Sequence, residues 1–164
     1  MTTPLDFSDA YARFLPPIQA KCRRLLGCSS AAEDVAQEAF LRLWKSGMGR
    51  GNDTRAIIAW LYRTSTRLAI DLLRDGYKVG ALDVVAHDLP CSIDLSASTD
   101  ARAAIVSLAS SVPEGELAAA VLCRVDCLPQ PEAAIVLGVS ERTVRRMLAR
   151  FDERIASLKK EFSS

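Results

Sequence analysis

Helical periodicity runs through almost the whole of this 164-residue chain, and it limits the possible folds more than any other feature. Apolar residues recur at steps of three and four, the spacing that places them on one face of an α-helix. No segment shows the apolar and polar alternation of a half-buried β-strand. We therefore predict an all-α fold.

Three helices are predicted in the N-terminal half, over residues 7–26, 31–45 and 55–74. Pro16 and Pro17 lie inside the first helix, and because proline has no N–H to donate they are expected to kink or split it. Asp53 or Thr54 can cap the third helix, since a short side chain with an oxygen satisfies a free N–H of the first turn.

A linker is predicted at residues 79–100, where the periodicity is lost and turn-forming residues are frequent. The segments on either side then form two domains, residues 1–78 and 101–164. We therefore predict two small helical domains joined by a tether, without internal repeats.

The C-terminal domain has the pattern of a helix-turn-helix. The stretch "SVPE", Ser111–Glu114, resembles a capping box that begins a helix. Further on, a short helix from Pro131 to Leu137 precedes a turn at Gly138, and Ser140 can cap a long final helix. This order of elements is that of a motif whose second helix enters the DNA major groove.

The final helix has one apolar face and one basic face. Its apolar stripe, about 100° wide, consists of Val144, Met147, Leu148, Phe151, Ile155, Leu158 and Phe162. Arg142, Arg145 and Arg146 lie opposite, and their planar forks can bind guanine edges or phosphates. The alternative is a basic face that is merely solvated, and the preceding glycine turn favours DNA.

The third helix presents an aromatic residue among arginines. Trp60, Arg63, Arg67 and Arg74 share one face. The residues expected to be buried are Ile57, Leu61, Leu68 and Leu72. A ring that stacks on a base, with cations for the backbone, suits single-stranded DNA. The alternative is that Trp60 packs in the core and the arginines are solvated.

The second helix has a leucine within a polar face. Its expected core residues are Ala32, Ala36, Ala39, Phe40 and Leu43, and the opposite face consists of Asp34, Gln37, Glu38, Leu41 and Lys45. A large apolar residue ringed by carboxylates and an amide has the layout of a small protein interface. We expect the partner surface to be basic with an apolar notch.

Charge is distributed unevenly, although 21 basic and 20 acidic residues nearly cancel. Residues 1–82 carry 12 basic and 8 acidic side chains, residues 83–141 carry 2 and 9, and residues 142–164 carry 7 and 3. Two basic segments on either side of an acidic one favour contacts with anionic partners at two separate places in the chain. The near-neutral total argues against tight binding to arbitrary DNA.

The chain carries no pattern of export or membrane insertion. No apolar run approaches the length of a membrane span, and the N-terminus lacks the basic and apolar segments of a signal peptide. The five cysteines are irregularly spaced and odd in number, so no disulfide framework is implied. We expect a cytoplasmic protein without stable membrane insertion.

Three stretches, in this order, resemble regions of the extracytoplasmic-function sigma factors of bacterial RNA polymerase. "AAEDVAQEAFLRLW" (31–44) resembles region 2.2, "AWLYRTSTRLAIDLLR" (59–74) resembles regions 2.3 and 2.4, and residues 108–150 resemble region 4. The resemblance covers nearly the whole chain apart from the linker. It implies a dissociable specificity subunit, not an enzyme, that needs no cofactor and is usually held off by an anti-sigma factor.

The resemblance also assigns a role to each surface. Region 2.2 docks on the β′ clamp helices of core RNA polymerase, which implies contacts from Asp34, Gln37, Glu38 and Leu41. Regions 2.3 and 2.4 melt the −10 element and hold its unpaired strand, which implies contacts from Trp60, Arg63, Arg67 and Arg74. Region 4 reads the −35 element of promoter DNA, which implies contacts from Arg142, Thr143, Arg145, Arg146 and Arg150. The stretch "LLGCSSAAEDVAQEAFLRLW" further resembles the iron-uptake, ferric-citrate-type subgroup, which is activated through ferric-siderophore receptors.

The sequence departs from the family pattern at several positions. Arg67 replaces a common asparagine, so −10 recognition is expected to differ in detail from that of the family. Ala133 replaces a large aliphatic residue, and Pro129 and Pro131 stand where a serine cap and acidic residues are usual, so the C-terminal domain is expected to be less stable or differently placed on DNA. The loop "SGMGRGNDT" lacks the aromatic residues of many relatives.

Two alternatives follow. The departures motivate one alternative, a sigma-like interaction module that binds an anti-sigma factor or polymerase without promoter-specific transcription. A metal or redox sensor could be built on His87, Cys91, Cys123 and Cys127, although their spacing matches no strong zinc pattern. Catalysis is not expected, because the chain has one histidine, no phosphate-loop glycine pattern and no nucleophile paired with a base.

Overall fold

The structure, a computed structural model, describes residues 6–48, 53–75 and 108–163, and all regular elements in these ranges are helical. The chain divides into two compact units, residues 1–87 and 88–164. The all-α prediction is confirmed for the described residues. The predicted linker at residues 79–100 lies outside them.

The helix bounds are close to those expected from the periodicity. The first unit contains α1 (Phe7–Leu26), α2 (Ser29–Ser46) and α3 (Thr54–Arg74). In the second unit, α4 (Glu114–Ala120) continues as a π-helical turn (Val121–Val125) and is followed by α5 (Gln130–Leu137) and α6 (Glu141–Phe162). Residues 108–111, before α4, are also helical.

The first unit is a bundle in which each of α1, α2 and α3 packs on the other two. Its largest wholly buried apolar side chains are Ile18, Leu26, Phe40, Leu43, Ile57, Leu61 and Ile70. Burying a side chain of this size contributes about 1.5–3 kcal/mol of hydrophobic stabilisation, so the three helices depend on one another far more than on their own propensity.

A kink or a split was expected at Pro16 and Pro17, and the split does not occur, because α1 passes through both prolines as a single helix. Both prolines are exposed, whereas Phe14 and Ile18 on either side of them are buried against the bundle. The apolar contacts of these neighbours hold the helix together where two backbone hydrogen bonds are missing.

The end of α1 and the start of α3 have the caps that the sequence predicts. Gly27 adopts a left-handed conformation (φ 68°), and its N–H donates to the carbonyl of Arg23 at 2.8 Å, which ends α1. At the start of α3, the Asp53 carboxylate accepts a hydrogen bond from the N–H of Ala56 at 2.8 Å. The cap is therefore Asp53 rather than Thr54.

The buried face of α3 differs from the expected one. Ile57 and Leu61 are buried, but Leu68 and Leu72 are only half-buried, so the prediction is wrong for these two residues. The buried positions of the second half are instead Ser65, Thr66, Ala69, Ile70 and Leu73. Because α3 packs against two helices, its buried face is wider than a single amphipathic stripe and is turned toward both partners.

Lys21 is buried inside the first unit, with 1% of its surface exposed. Its ammonium lies 5.3 Å from the centre of the Tyr62 ring on α3, in a cation–π contact. A lysine on the apolar side of α1 therefore contributes to the α1–α3 interface. Helical spacing alone did not single it out, since lysine is rarely fully buried.

Helix α4 begins differently from the predicted capping box. Glu114 is its first residue, Pro113 is its N-cap, and no side chain caps it. Ser111 lies in the preceding helical segment, so its backbone is not in the extended conformation that an N-cap residue needs. The capping-box prediction for Ser111–Glu114 is therefore wrong.

Candidate protein and nucleic-acid interfaces

The outer face of α2, defined here as Asp34, Gln37, Glu38 and Leu41, points away from the bundle. All five expected core residues of the helix, Ala32, Ala36, Ala39, Phe40 and Leu43, are buried. Asp34 and Gln37 are exposed, and 49% of the Leu41 surface is accessible. Glu38 is half-buried, and its carboxylate accepts a hydrogen bond from Arg42 Nε at 3.0 Å.

Trp44 extends the apolar part of this face and was missed in the sequence. It is 62% exposed although its ring centre lies 5.0 Å from that of Phe7 on α1. Residues three apart on a helix are neighbours, so Trp44 stands beside Leu41. The same spacing of three could have identified it. Two large exposed apolar side chains in a polar surround form a stronger anchor than one leucine.

An aromatic cluster supports Trp44 from below. The rings of Tyr11 and Phe40 meet edge to face with their centres 5.1 Å apart, and Phe7 lies 6.5 Å from Phe40. Edge-to-face pairs of this kind add specific orientation to apolar burial. The Trp44 ring therefore rests on a packed platform and not on a loose surface.

The basic face of α3, defined as Trp60, Arg63, Arg67 and Arg74, lies opposite the centre of its buried face. At 100° per residue the four positions fall within about 60° of one another. Arg67 is exposed, and Trp60, Arg63 and Arg74 are half-buried. Trp60 is thus not enclosed in the core, which leaves part of its ring for stacking. Residues 49–52 of the glycine-rich loop before α3 lie outside the described residues.

The helix-turn-helix is formed by α5, a short turn and α6. Gly138 adopts a left-handed conformation (φ 68°) that ends α5. The N–H of Val139 donates to the carbonyl of Ala134 at 3.1 Å, and Ser140 then caps α6 by accepting from the N–H of Thr143 at 3.1 Å. The predicted turn and cap are confirmed.

The basic face of α6, defined as Arg142, Arg145, Arg146 and Arg150, is exposed at all four positions. Opposite it, Val144, Leu148 and Phe151 are buried, and Met147, Ile155 and Leu158 are half-buried. The side chain of Phe162 lies outside the described residues. Arg145 pairs with Glu141 at 3.8 Å, an exposed contact that is worth little in stability.

Thr143 and Arg150 occupy the margins of the α6 basic face. The Thr143 hydroxyl lies 2.9 Å from that of Ser140, so it also takes part in the cap. Arg150 lines a surface groove together with Ser111 and Val112. Side chains at the edge of a groove-binding helix reach phosphates more readily than base edges.

The unusual residues of α5 do not prevent the helix from forming. Pro129 is its N-cap and Pro131 lies in its first turn, where a missing N–H costs no intrahelical hydrogen bond. Ala133 is wholly buried. Ile135 is exposed on the outer side of the helix, a feature that the sequence pattern did not single out.

Two ion pairs join the α4 segment to α6. Arg124, in the π-helical turn, forms a two-pronged pair with Asp152, with N–O distances of 2.8 and 2.5 Å. This hydrogen bonding holds the pKa of Asp152 below its ordinary value and raises the pKa of Arg124. The Nε of Arg154 lies 2.7 Å from the carboxylate of Glu116, which is almost wholly buried.

Two of the four residues of the predicted metal or redox sensor, Cys123 and Cys127, lie in the described part of the chain. No group of three or more histidine, cysteine, aspartate or glutamate side chains among the described residues is arranged to hold a metal ion. Burial raises the pKa of the Cys123 thiol, opposed by the nearby Arg124. Cys127 is disulfide-bonded, although the odd number and irregular spacing of the cysteines implied no disulfide framework. His87 and Cys91 lie outside the described residues.

Of the helices that the structure describes, none combines the length and the apolar character needed to cross a membrane.

Two family models match the chain, one in each unit. Residues 10–78 match sigma-70 region 2, and residues 102–150 match sigma-70 region 4. The outer face of α2 and the basic face of α3 lie in the first match, and the helix-turn-helix lies in the second. Between them the two matches cover most of the chain.

Among curated proteins, the chain is 32% identical over 143 residues to the ECF RNA polymerase sigma factor SigE of Mycolicibacterium smegmatis, a match that covers 77% of the chain and 51% of SigE. It is 38% identical over 68 residues to the ECF RNA polymerase sigma factor SigW of Bacillus subtilis, covering 42% of the chain and 36% of SigW. The chain thus spans about half, or less, of the length of these relatives.

A solved structure shares the fold. It is described as CnrH in complex with the cytosolic domain of CnrY, and it matches with a TM-score of 0.57 and 23% identity over 94% of this chain and 88% of that one. Two consecutive sigma-70 regions, together with the ECF relatives, establish the family. The chain belongs to the sigma-70 family, within its extracytoplasmic-function (ECF) group.

Proposed function

We propose that the chain is a sigma factor that binds core RNA polymerase, directs it to specific promoters and assists melting of the −10 element. One observation carries the proposal above the others. An exposed basic face lies on the second helix of a helix-turn-helix in one unit, while the other unit presents an acidic face with apolar anchors. A DNA-binding surface and a separate protein-binding surface are what a promoter-selecting polymerase subunit needs.

The outer face of α2, with Trp44 added to it, is proposed to bind the β′ clamp helices of core polymerase. Leu41 and Trp44 supply apolar area at the centre of the contact, and Asp34, Gln37 and Glu38 supply a polar rim. Interfaces draw most of their affinity from a few central aromatic and apolar residues. The carboxylates favour a basic partner and speed its approach.

The basic face of α3 is proposed to hold the unpaired strand of the −10 element. Trp60 is half-buried, so one part of its ring is fixed in the protein while the rest can stack on a base. Arg63, Arg67 and Arg74 are suited to the backbone phosphates. At position 67 an arginine offers charge where the usual asparagine offers an amide, so we expect a phosphate contact there in place of base recognition.

The basic face of α6 is proposed to read the −35 element. Arg142, Arg145 and Arg146 lie at the exposed N-terminal half of the helix, the part that approaches base edges in helix-turn-helix complexes. Thr143 and Arg150, at the margins of the face, are proposed to contact the phosphate backbone.

A regulatory partner and a subgroup belong to the same proposal. Sigma factors of this group are commonly held off by an anti-sigma factor, and the fold relative CnrH is described in complex with the cytosolic domain of CnrY. We propose that this chain is likewise bound by an anti-sigma factor in the cytoplasm. Its assignment to the iron-uptake, ferric-citrate-type subgroup is supported by the stretch from Leu25 to Trp44 alone.

Transcription by a reconstituted holoenzyme tests the proposal against a sigma-like module that binds polymerase but selects no promoter. Purified full-length chain and bacterial core polymerase are incubated with a library of promoter fragments, and run-off transcripts are sequenced. Transcripts that begin at defined sites only when the chain is present support a sigma factor. A stable complex with core polymerase that yields no such transcript would establish the interaction module.

A further inference from the structure

Two ion pairs join α6 to the α4 segment, which comprises α4 and the π-helical turn (residues 114–125). Their α6 residues, Asp152 and Arg154, point to nearly opposite sides of the helix. Asp152 and Arg154 are two residues apart, which corresponds to about 200° around a helix axis. The buried residue Phe151 lies between their directions, so the pairs flank the apolar stripe of α6. One pair uses a carboxylate of α6 and the other uses an arginine of α6.

Both pairs have the geometry of directional contacts. The guanidinium of Arg124 meets Asp152 through two hydrogen bonds and also lies over the Phe151 ring, 5.4 Å from its centre. Arg154 donates to Glu116, a carboxylate with only 6% of its surface exposed. An unpaired carboxylate at such a site is unfavourable, so Glu116 holds Arg154 firmly.

Apolar packing constrains the rotation of α6 about its own axis less in the second half of the helix than in the first. Hydrophobic contacts are not directional. The stripe is fully buried at Val144, Leu148 and Phe151 but only half-buried at Ile155 and Leu158. Asp152 and Arg154 follow Phe151, the last fully buried residue of the stripe. The two ion pairs therefore add directional contacts at the point where apolar burial becomes incomplete.

The π-helical turn contributes to this arrangement. Within it and after it, the N–H of Asp126 donates to the carbonyl of Val121, and the N–H of Leu128 donates to that of Leu122, both at 2.9 Å. Such wide turns change the direction of the side chains they carry relative to a continuous α-helix. Arg124 is one of the five residues of the turn, and its guanidinium reaches Asp152 of α6.

We propose that Arg124 and Glu116 are positioning residues that set the rotation of α6 and so aim its basic face at DNA. The inference rests on the proposed function of α6 as the helix that reads the −35 element. A rotation of about 10° moves groups at the surface of a helix, about 6 Å from its axis, by about 1 Å. Hydrogen-bond distances to base edges tolerate about half of that.

Sequence selectivity is the quantity that separates positioning from plain stability. A partly unfolded variant binds every duplex less well in the same proportion, whereas a misaimed helix loses affinity only for the correct sequence. The probe is a 30-base-pair duplex enriched from a random library by the wild-type holoenzyme, compared with a scrambled duplex of the same composition.

The variants are Arg124→Gln, Arg124→Lys and the charge exchange Arg124→Asp with Asp152→Arg, each in the full chain bound to core polymerase. Lys159→Gln is the matched control, since it also removes one positive charge and lies on the exposed side of α6. Circular dichroism at the assay temperature verifies that each variant is folded. If Arg124→Gln does not fold, Arg124→Lys tests the same role, because it keeps the charge but cannot form the two-pronged pair.

We expect Arg124→Gln to reduce affinity for the enriched duplex by about tenfold while affinity for the scrambled duplex changes by less than about twofold. Lys159→Gln should change neither affinity by more than about twofold, and the charge exchange should recover most of the selectivity. Unchanged selectivity in folded Arg124→Gln and Arg124→Lys overturns the positioning role alone. A wild-type holoenzyme that enriches no sequence overturns the proposed function and this inference with it.

Discussion

Ser140 and Thr143 are linked twice at the start of α6: the N–H of Thr143 donates to Ser140 Oγ at 3.1 Å, and the two hydroxyl oxygens lie 2.9 Å apart. The first link is the hydrogen bond of a helix N-cap. The second engages the hydroxyl of Thr143, a residue for which the family resemblance implies a DNA contact. The start of the proposed DNA-reading helix is therefore held by its own cap.

We expect Ser140→Ala to lower the free energy of unfolding of the second unit by about 1 kcal/mol, because one N–H of the first turn loses its partner. Ser140→Asp should retain most of the stability, since aspartate accepts the same hydrogen bond. Urea unfolding followed by circular dichroism measures the change. Both tryptophans lie in the first unit, so tryptophan fluorescence is an internal control that should stay unaltered.

Truncation of the α2 anchors should weaken binding to core polymerase. Leu41→Ala combined with Asp34→Ala, and Trp44→Ala alone, are each expected to reduce affinity about tenfold or more, as central interface residues do. The side chains are exposed, so the bundle should stay folded. The measurement is titration of core polymerase with fluorescently labelled chain.

Glu33→Gln provides the control for charge on α2. Glu33 is exposed on the same helix but lies about 100° from Asp34 around its axis. Its neutralisation should leave polymerase binding nearly unchanged. Equal losses from Glu33→Gln and Asp34→Asn would mean that the net charge of the helix, not its outer face, governs binding.

Loss of the arginines at the centre of the α6 basic face should impair promoter use without affecting polymerase binding. Arg145→Ala and Arg146→Ala are expected to reduce −35-dependent transcription. For an arginine that binds a guanine edge, the loss of DNA-binding free energy should be about 1–3 kcal/mol. An arginine that binds phosphate should instead lower the slope of log affinity against log salt by about one. Run-off transcription at several salt concentrations distinguishes these cases. Lys159→Ala, near the far end of the helix, should have neither effect.

The pair between Arg124 and Asp152 should make the stability of the second unit depend on acid pH. Because the hydrogen bond from Arg124 lowers the pKa of Asp152 in the folded state, the stabilisation is complete above the ordinary aspartate pKa of about 3.9. It is lost as the pH falls through the lower, folded-state pKa. Asp152→Asn should therefore be less stable than the parent chain at pH 6, and the difference should shrink toward pH 2. Urea unfolding at both values measures it, and a difference that grows in acid would contradict the assignment.

Local sequence patterns predicted the helices and most of their outward faces. The spacing of Val144, Leu148 and Phe151 predicted that the arginines of α6 are exposed, because residues outside the apolar stripe of an amphipathic helix face solvent. Gly138 and Ser140 predicted the turn, since a left-handed glycine and a hydroxyl cap act within a few residues. Information of this kind is present in the local chain.

Features that depend on contacts with a second helix could not be predicted from local sequence patterns. Leu68 and Leu72 are less buried than their spacing suggested because α3 packs on two helices. Ser111 does not cap α4 because it ends another helical segment. Lys21 became a core residue through the ring of Tyr62, 41 positions away in the sequence.

The sequence by itself determined where most of the helices begin and end, and which faces carry charge, because hydrogen bonds within a helix join residues only four positions apart. Only the tertiary structure decided how each face is used. The outward position of Trp44 depends on Phe7 of another helix, and the partner of Asp152 is 28 residues away in a π-helical turn. Contacts across such separations form when packed helices bring distant residues together, and no local period encodes them.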